Sequence, residues 1–202
     1  MYTLYYFPNA CSLATQVVLN ELNQAVKIID VQQVEDFKAI NPVGTVPVLI
    51  DNGHLYREGA AVILYLLNKH PNTMLPATGV LLDQAIQNIM FANATMHPAY
   101  SRLFFIAQNM TNEKAKLSAF EVAAQAITHL WQVVEQELEK QEFLGGDQPS
   151  AADIMLTVYS RWGESFPVEI SLGQNTQKML DAVASMPSFQ RALAAEQAQS
   201  DA

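Results

Sequence analysis

The 202-residue chain holds a single cysteine, Cys11, and only 11 lysines and arginines against 20 acidic residues. One cysteine excludes an internal disulfide, a Cys-x-x-Cys redox pair and a cysteine-rich zinc site, and it agrees with a reducing compartment. The shortage of basic residues, with a net charge of −9, excludes the lysine and arginine cluster that binding to nucleic-acid phosphates demands. No apolar run reaches the ~20 residues needed to cross a bilayer, and the start lacks the basic-then-apolar pattern of a signal peptide. The four histidines lie far apart and lack ligand spacing, so no metal is expected. What is abundant is apolar surface: half the residues are apolar and only 15% charged, enough to bury a core in one large or two small domains. These absences together describe a cytoplasmic globular protein.

Two periodicities divide the chain. Up to about His70, short strands and helices alternate: Leu4 to Phe7 reads as a strand, Leu13, Val17, Val18 and Leu22 recur at helical spacing, and Val26 to Val31 is a second strand before a short helical piece over 34–40. Strands separated by a helix imply a parallel pair with a crossover. Asp51-Asn52-Gly53, between the apolar runs 46–50 and 54–56, signals a tight antiparallel turn, so the sheet should be mixed. A helix follows over 58–68. The proline-rich stretch 69–78 reads as a linker, and beyond it come only helical patterns, over 80–105, 112–141, 150–162, 172–185 and 188–197. The fold class is therefore α/β over residues 1–76, followed by an all-helical domain over 77–202.

Cys11 stands between the first strand and its helix. There the unpaired N–H groups and the positive end of the helix dipole should lower its pKa, although a lone cysteine is as readily a small buried hydrophobe. Pro47 interrupts an otherwise good strand. It is an edge-strand proline or, if the Val46-Pro47 peptide is cis, a bend that turns the Val46 backbone outward, where an extended peptide could pair with it. Glu58-Gly59 opens the next helix. The Gly59 amide suits a carboxylate and Glu58 an ammonium, unless Glu58 is simply a first-turn acid. Ser150 and Asp153 form a capping box and belong to folding.

The stretches 5–13 (Tyr-Tyr-Phe-Pro-Asn-Ala-Cys-Ser-Leu), 41–49 (Asn-Pro-Val-Gly-Thr-Val-Pro-Val-Leu) and 58–66 (Glu-Gly-Ala-Ala-Val-Ile-Leu-Tyr-Leu) resemble, in order and spacing, the thioredoxin-like glutathione-binding domain of cytosolic glutathione transferases. The similarity continues through Phe143 to Asp147 and Ser150 to Asp153, and its start is most like the bacterial beta class. The resemblance implies that Cys11 lies against the glutathione sulfur and that a cis Val46-Pro47 pairs with the cysteinyl part. It further implies that Glu58 and Gly59 hold the γ-glutamyl end, that His97 faces the thiol, and that Trp162 lines an electrophile pocket; by residue type alone, the helix aromatics Tyr100, Phe104 and Trp162 suggest that such a pocket is apolar, unless they are core. Tyr6 is the second candidate for holding the thiolate, because in other classes a tyrosine at this strand end does so; Ser12 is the third. The short segment 31–36 lacks the lysine with which beta-class proteins grip the glycyl carboxylate, Lys38 is not its equivalent, and Met90 stands where an asparagine is usual. The expected protein is a homodimeric, cytoplasmic glutathione transferase of detoxification type, joining the glutathione thiolate to small apolar electrophiles with glutathione as co-substrate. Two alternatives are a disulfide reductase or peroxidase using Cys11, and a non-catalytic binding protein of the same fold.

Overall fold

The computed structural model describes residues 1–200. Four strands form one mixed sheet in the order β2-β1-β3-β4. Strand β1 (Tyr2–Tyr6) runs parallel to β2 (Val26–Asp30) and antiparallel to β3 (Val48–Asp51), which forms a hairpin with β4 (His54–Arg57). The alternation of β1 sends Tyr2, Leu4 and Tyr6 into the core. Asn52 and Gly53 make the hairpin turn with φ of 48° and 81°, the positive values that a two-residue turn matched to strand twist requires.

Helix α1 (Ser12–Glu21) crosses from β1 to β2, the short α2 (Phe37–Ile40) precedes β3, and α3 (Gly59–Lys69) follows the hairpin. Contacts divide the chain into two compact units. The first comprises Met1–Leu75 together with the chain from Ala184 onward, and the second is Pro76–Val183. The last helix, α9 (Pro187–Ser200), thus belongs with the sheet, whereas the sequence reading left residues 184–202 in the helical half. The reason lies on α1, where Thr15, Gln16 and Leu19 are as buried as Leu13, Val17 and Val18. One face of α1 is apolar and meets the sheet. The other offers amides, and α9 satisfies them: Asn20 Nδ2 donates to the Ser188 carbonyl at 2.9 Å and Gln16 Nε2 to Glu196 Oε1 at 2.6 Å.

The second unit is helical: α4 (Gly79–Phe91), α5 (His97–Asn109), α6 (Glu113–Leu138), α7 (Ala151–Ser160) and α8 (Gln174–Ala184). The expected single helix over 80–105 is instead two, joined by a π-helical turn, Ala92–Met96. Pro98 has no N–H to give and its ring crowds the carbonyl four residues back, so the helix widens just upstream of it. The capping box forms as expected. Ser150 N–H donates to Asp153 Oδ2 at 2.8 Å, and Ser150 Oγ accepts the Asp153 N–H at 3.4 Å. Asp153, fully buried, also accepts the Leu144 N–H at 2.9 Å. Among the described residues no helix is long and apolar enough to cross a membrane.

Candidate functional site

In the first unit the chain between β1 and α1 turns back on itself, with the Ala10 N–H bonded to the Phe7 carbonyl at 3.1 Å and Asn9 at φ 59°. Asparagine tolerates this left-handed conformation better than most residues. Two side chains pin the loop. Ser12 Oγ accepts from the Phe7 N–H at 3.3 Å and donates to the Phe7 carbonyl at 3.4 Å, which accounts for its complete burial. Glu196, from α9, accepts the Asn9 N–H at 2.9 Å.

The loop delivers Cys11, half-buried, to the N-cap of α1, where its thiol donates to the Val46 carbonyl at 3.3 Å. The Val46-Pro47 peptide is cis. Its loop is organised by Asn41, only 2% exposed, whose Nδ2 donates to the Thr45 carbonyl at 2.8 Å and whose own carbonyl accepts the Gly44 N–H at 2.8 Å. Gly44 sits at φ 76°, a conformation that a side chain would strain. Glu58 is exposed and immediately precedes α3 at φ 67°, ψ 116°, a rare conformation for a residue with a side chain. Its charge acts on Cys11. Thiol and Val46 carbonyl therefore meet within this unit, the Glu58 charge acts on the thiol, and Gly59 is the first residue of the helix that Glu58 precedes.

The electrostatics correct one expectation. Burial pushes the Cys11 thiol up to about 11, and Glu58 adds to the rise, against the lowering by the backbone N–H groups of Cys11 and Ser12. The helix terminus contributes in the expected direction but is outweighed by desolvation. Tyr6 has no exposed surface. Its hydroxyl finds no hydrogen-bond partner among the described residues, and burial raises its pKa, with the charges of Asp30 and Glu196 adding to the effect. It faces the core with Tyr2 and Leu4.

In the second unit His97 opens α5 directly after the π turn. Its ring meets Tyr159 and Trp162 edge-on, each at 5.1 Å between centroids, while those two rings stack on each other at 4.8 Å. Burial lowers the His97 pKa, so the imidazole is neutral near pH 7. Trp162 also meets Tyr100 and Phe104 edge-on. Tyr100 is 1% exposed and its hydroxyl accepts the Trp131 Nε1 proton at 2.9 Å, so it packs in the core of this unit. Sequence reasoning missed Glu196, Asn41 and Ser101, whose Oγ lies 3.3 Å from His97 Nδ1. Of these, Asn41 opens the stretch 41–49 that carries the family resemblance and Ser101 lies four residues after His97, whereas nothing local marked Glu196. Among the described residues no group of three or more His, Cys, Asp or Glu could hold a metal ion.

Residues 10–74 match the family model of the glutathione S-transferase N-terminal domain and residues 93–184 that of the C-terminal domain. The glutathione S-transferase GST-4.5 of Xanthomonas campestris pv. campestris is 30% identical over 83% of this chain and 85% of that protein. The beta-class glutathione S-transferase of Sphingomonas chungbukensis is 29% identical with a TM-score of 0.83, covering 96% of this chain and 98% of that one. A sphingomonad glutathione S-transferase solved in complex with glutathione is 27% identical with a TM-score of 0.84 over the same shares. With the cis proline, the thiol loop and the helical second unit already in view, these matches account for nearly the whole length, and the chain belongs to the glutathione S-transferase family.

Proposed function

We propose that the protein transfers glutathione to small apolar electrophiles. The observation that carries this reading is the Cys11 thiol bonded to the Val46 carbonyl beside the cis peptide, with the charge of Glu58 acting on the same sulfur. A sphingomonad relative has been solved with glutathione, and the residues available here suit that tripeptide. The Val46 main chain can pair with its cysteinyl part, beside Pro47. Glu58 can take the γ-glutamyl ammonium, and the Gly59 amide the adjoining carboxylate. Cys11, protonated up to about pH 11, can then donate a hydrogen bond to the glutathione sulfur in place of the Val46 carbonyl, and a bond to a charged acceptor is the stronger one. The aromatic cluster of His97 and Trp162 is the electrophile-binding part of this reading, with His97 the group that exchanges a proton.

The same high pKa counts against the reductase or peroxidase reading, which needs Cys11 as a thiolate at neutral pH. The reading includes a cytoplasmic homodimer acting in detoxification. Val80, Leu81, Ile86 and Met90 leave α4 with exposed apolar residues that a second copy could cover. Retention on immobilised glutathione together with conjugation of 1-chloro-2,4-dinitrobenzene is the test. Wild type should do both, and Cys11→Ala should weaken conjugation without abolishing it. Retention without turnover leaves the binding-protein alternative, and neither retention nor turnover overturns the proposal.

A further inference from the structure

Ser101 has one hydroxyl proton and two neighbours competing for it. Its Oγ lies 2.9 Å from the His97 carbonyl oxygen and 3.3 Å from His97 Nδ1. A serine hydroxyl donates once and accepts through its lone pairs, and a serine within a helix commonly gives its proton to the carbonyl one turn back. The shorter contact is that bond. What Ser101 then presents to the imidazole is a lone pair, which only a protonated Nδ1 can use. A neutral imidazole with its proton on Nδ1 has a bare Nε2. The surroundings favour the neutral ring. The Tyr159 and Trp162 rings pack against it edge-on, and burial lowers its pKa.

We infer that Ser101 is a positioning residue that holds His97 in the Nδ1–H tautomer, so that Nε2 serves as a proton acceptor. For its chemical consequence the inference rests on the glutathione-transfer reading; the tautomer itself does not. A bare Nε2 cannot donate a hydrogen bond to a thiolate, so the alternative role for His97, stabilising glutathione that is already ionised, is set aside. The step it permits is proton removal. Within the transfer reading, a thiol S–H that reaches Nε2 gives its proton to the ring, and the sulfur electron pair forms the S–C bond. The leaving group departs with the pair of the broken bond, and the imidazolium returns the proton to solvent.

The test reads the tautomer directly, on the full chain without glutathione, from long-range proton–nitrogen correlations of protein carrying 15N-histidine. His97→Gln identifies the His97 signals among those of the four histidines. Wild type should show Nδ1 protonated and Nε2 bare, Ser101→Ala should lose this preference, and Ser101→Thr, which keeps the hydroxyl, should retain it. With 1-chloro-2,4-dinitrobenzene, Ser101→Ala should lower kcat about tenfold with the KM for glutathione nearly unchanged, and Ser101→Thr should restore most of it. A wild-type Nε2–H tautomer, or a Ser101→Ala spectrum identical to wild type, overturns the inference. The expected spectra in a protein that neither binds nor conjugates glutathione uphold Ser101's role and retire the transfer reading instead.

Discussion

Each unit has a buried carboxylate that accepts a backbone N–H from a loop, Asp153 in one and Glu196 in the other, and the two do different work. Asp153 lies at the start of α7 and closes on Ser150 three residues away, with Leu144 nine residues away. It seals a helix end and has no part in the chemistry. Glu196, 5% exposed, reaches across 187 residues of sequence to the Asn9 N–H, two positions before the thiol. The first is a folding device of nearest neighbours, and the second makes the terminal helix part of the wall that holds Cys11. Similar chemistry becomes structural or site-forming according to which backbone it is given.

The sharpest way to break this comparison is to remove Asp153. Asp153→Ala leaves the Ser150 and Leu144 N–H groups without their acceptor and should cost about 3–4 kcal/mol, read by urea or thermal unfolding. A loss below about 1 kcal/mol would mean that the box is ornamental. The next largest effect lies in the loop that Glu196 holds. The Cys11 pKa is raised to about 11 from an ordinary value of 9.0, so its thiolate fraction at neutral pH falls about a hundredfold. Deprotonation is what the folded state opposes. Alkylation by iodoacetamide should therefore be slow at pH 7 and climb about tenfold per pH unit, levelling only near pH 11. A plateau reached by pH 8 contradicts this.

Glu196→Gln sharpens the contrast further. The amide can still accept from Asn9 but must turn an NH2 toward Gln16, and about 1–2 kcal/mol should be lost while Cys11 alkylation quickens. If stability falls with no change in alkylation, Glu196 does not govern the thiol loop. The smallest effect belongs to a neutral acceptor: Tyr100→Phe strands the Trp131 Nε1 proton in the core and should cost about 1 kcal/mol, with no change at Cys11.

Much of this was legible in the sequence. The mixed sheet, the Asn52-Gly53 turn, the capping box and the cis option at Val46-Pro47 all rest on residues close together in the chain, where local rules of turns, caps and proline apply. The pKa of Cys11 was not legible. Its direction depends on the balance between a helix terminus that the sequence reveals and a desolvation that only packing sets. The burial of Tyr6 and Tyr100 was not legible for the same reason, since a tyrosine at a strand end or on a helix face looks the same in sequence whether its hydroxyl meets solvent or is enclosed.

The sequence alone determined which elements form and that the first half carries a thiol, a proline bend and an acid–glycine helix start in the family's order, because these are properties of neighbouring residues. Tertiary structure decided that α9 joins the sheet unit, that Glu196 grips Asn9, that the thiol stays protonated, and that Ser101's proton goes to a carbonyl and not to a ring. Burial and long-range hydrogen bonding depend on what lies across the core, and no pattern along the chain specifies that.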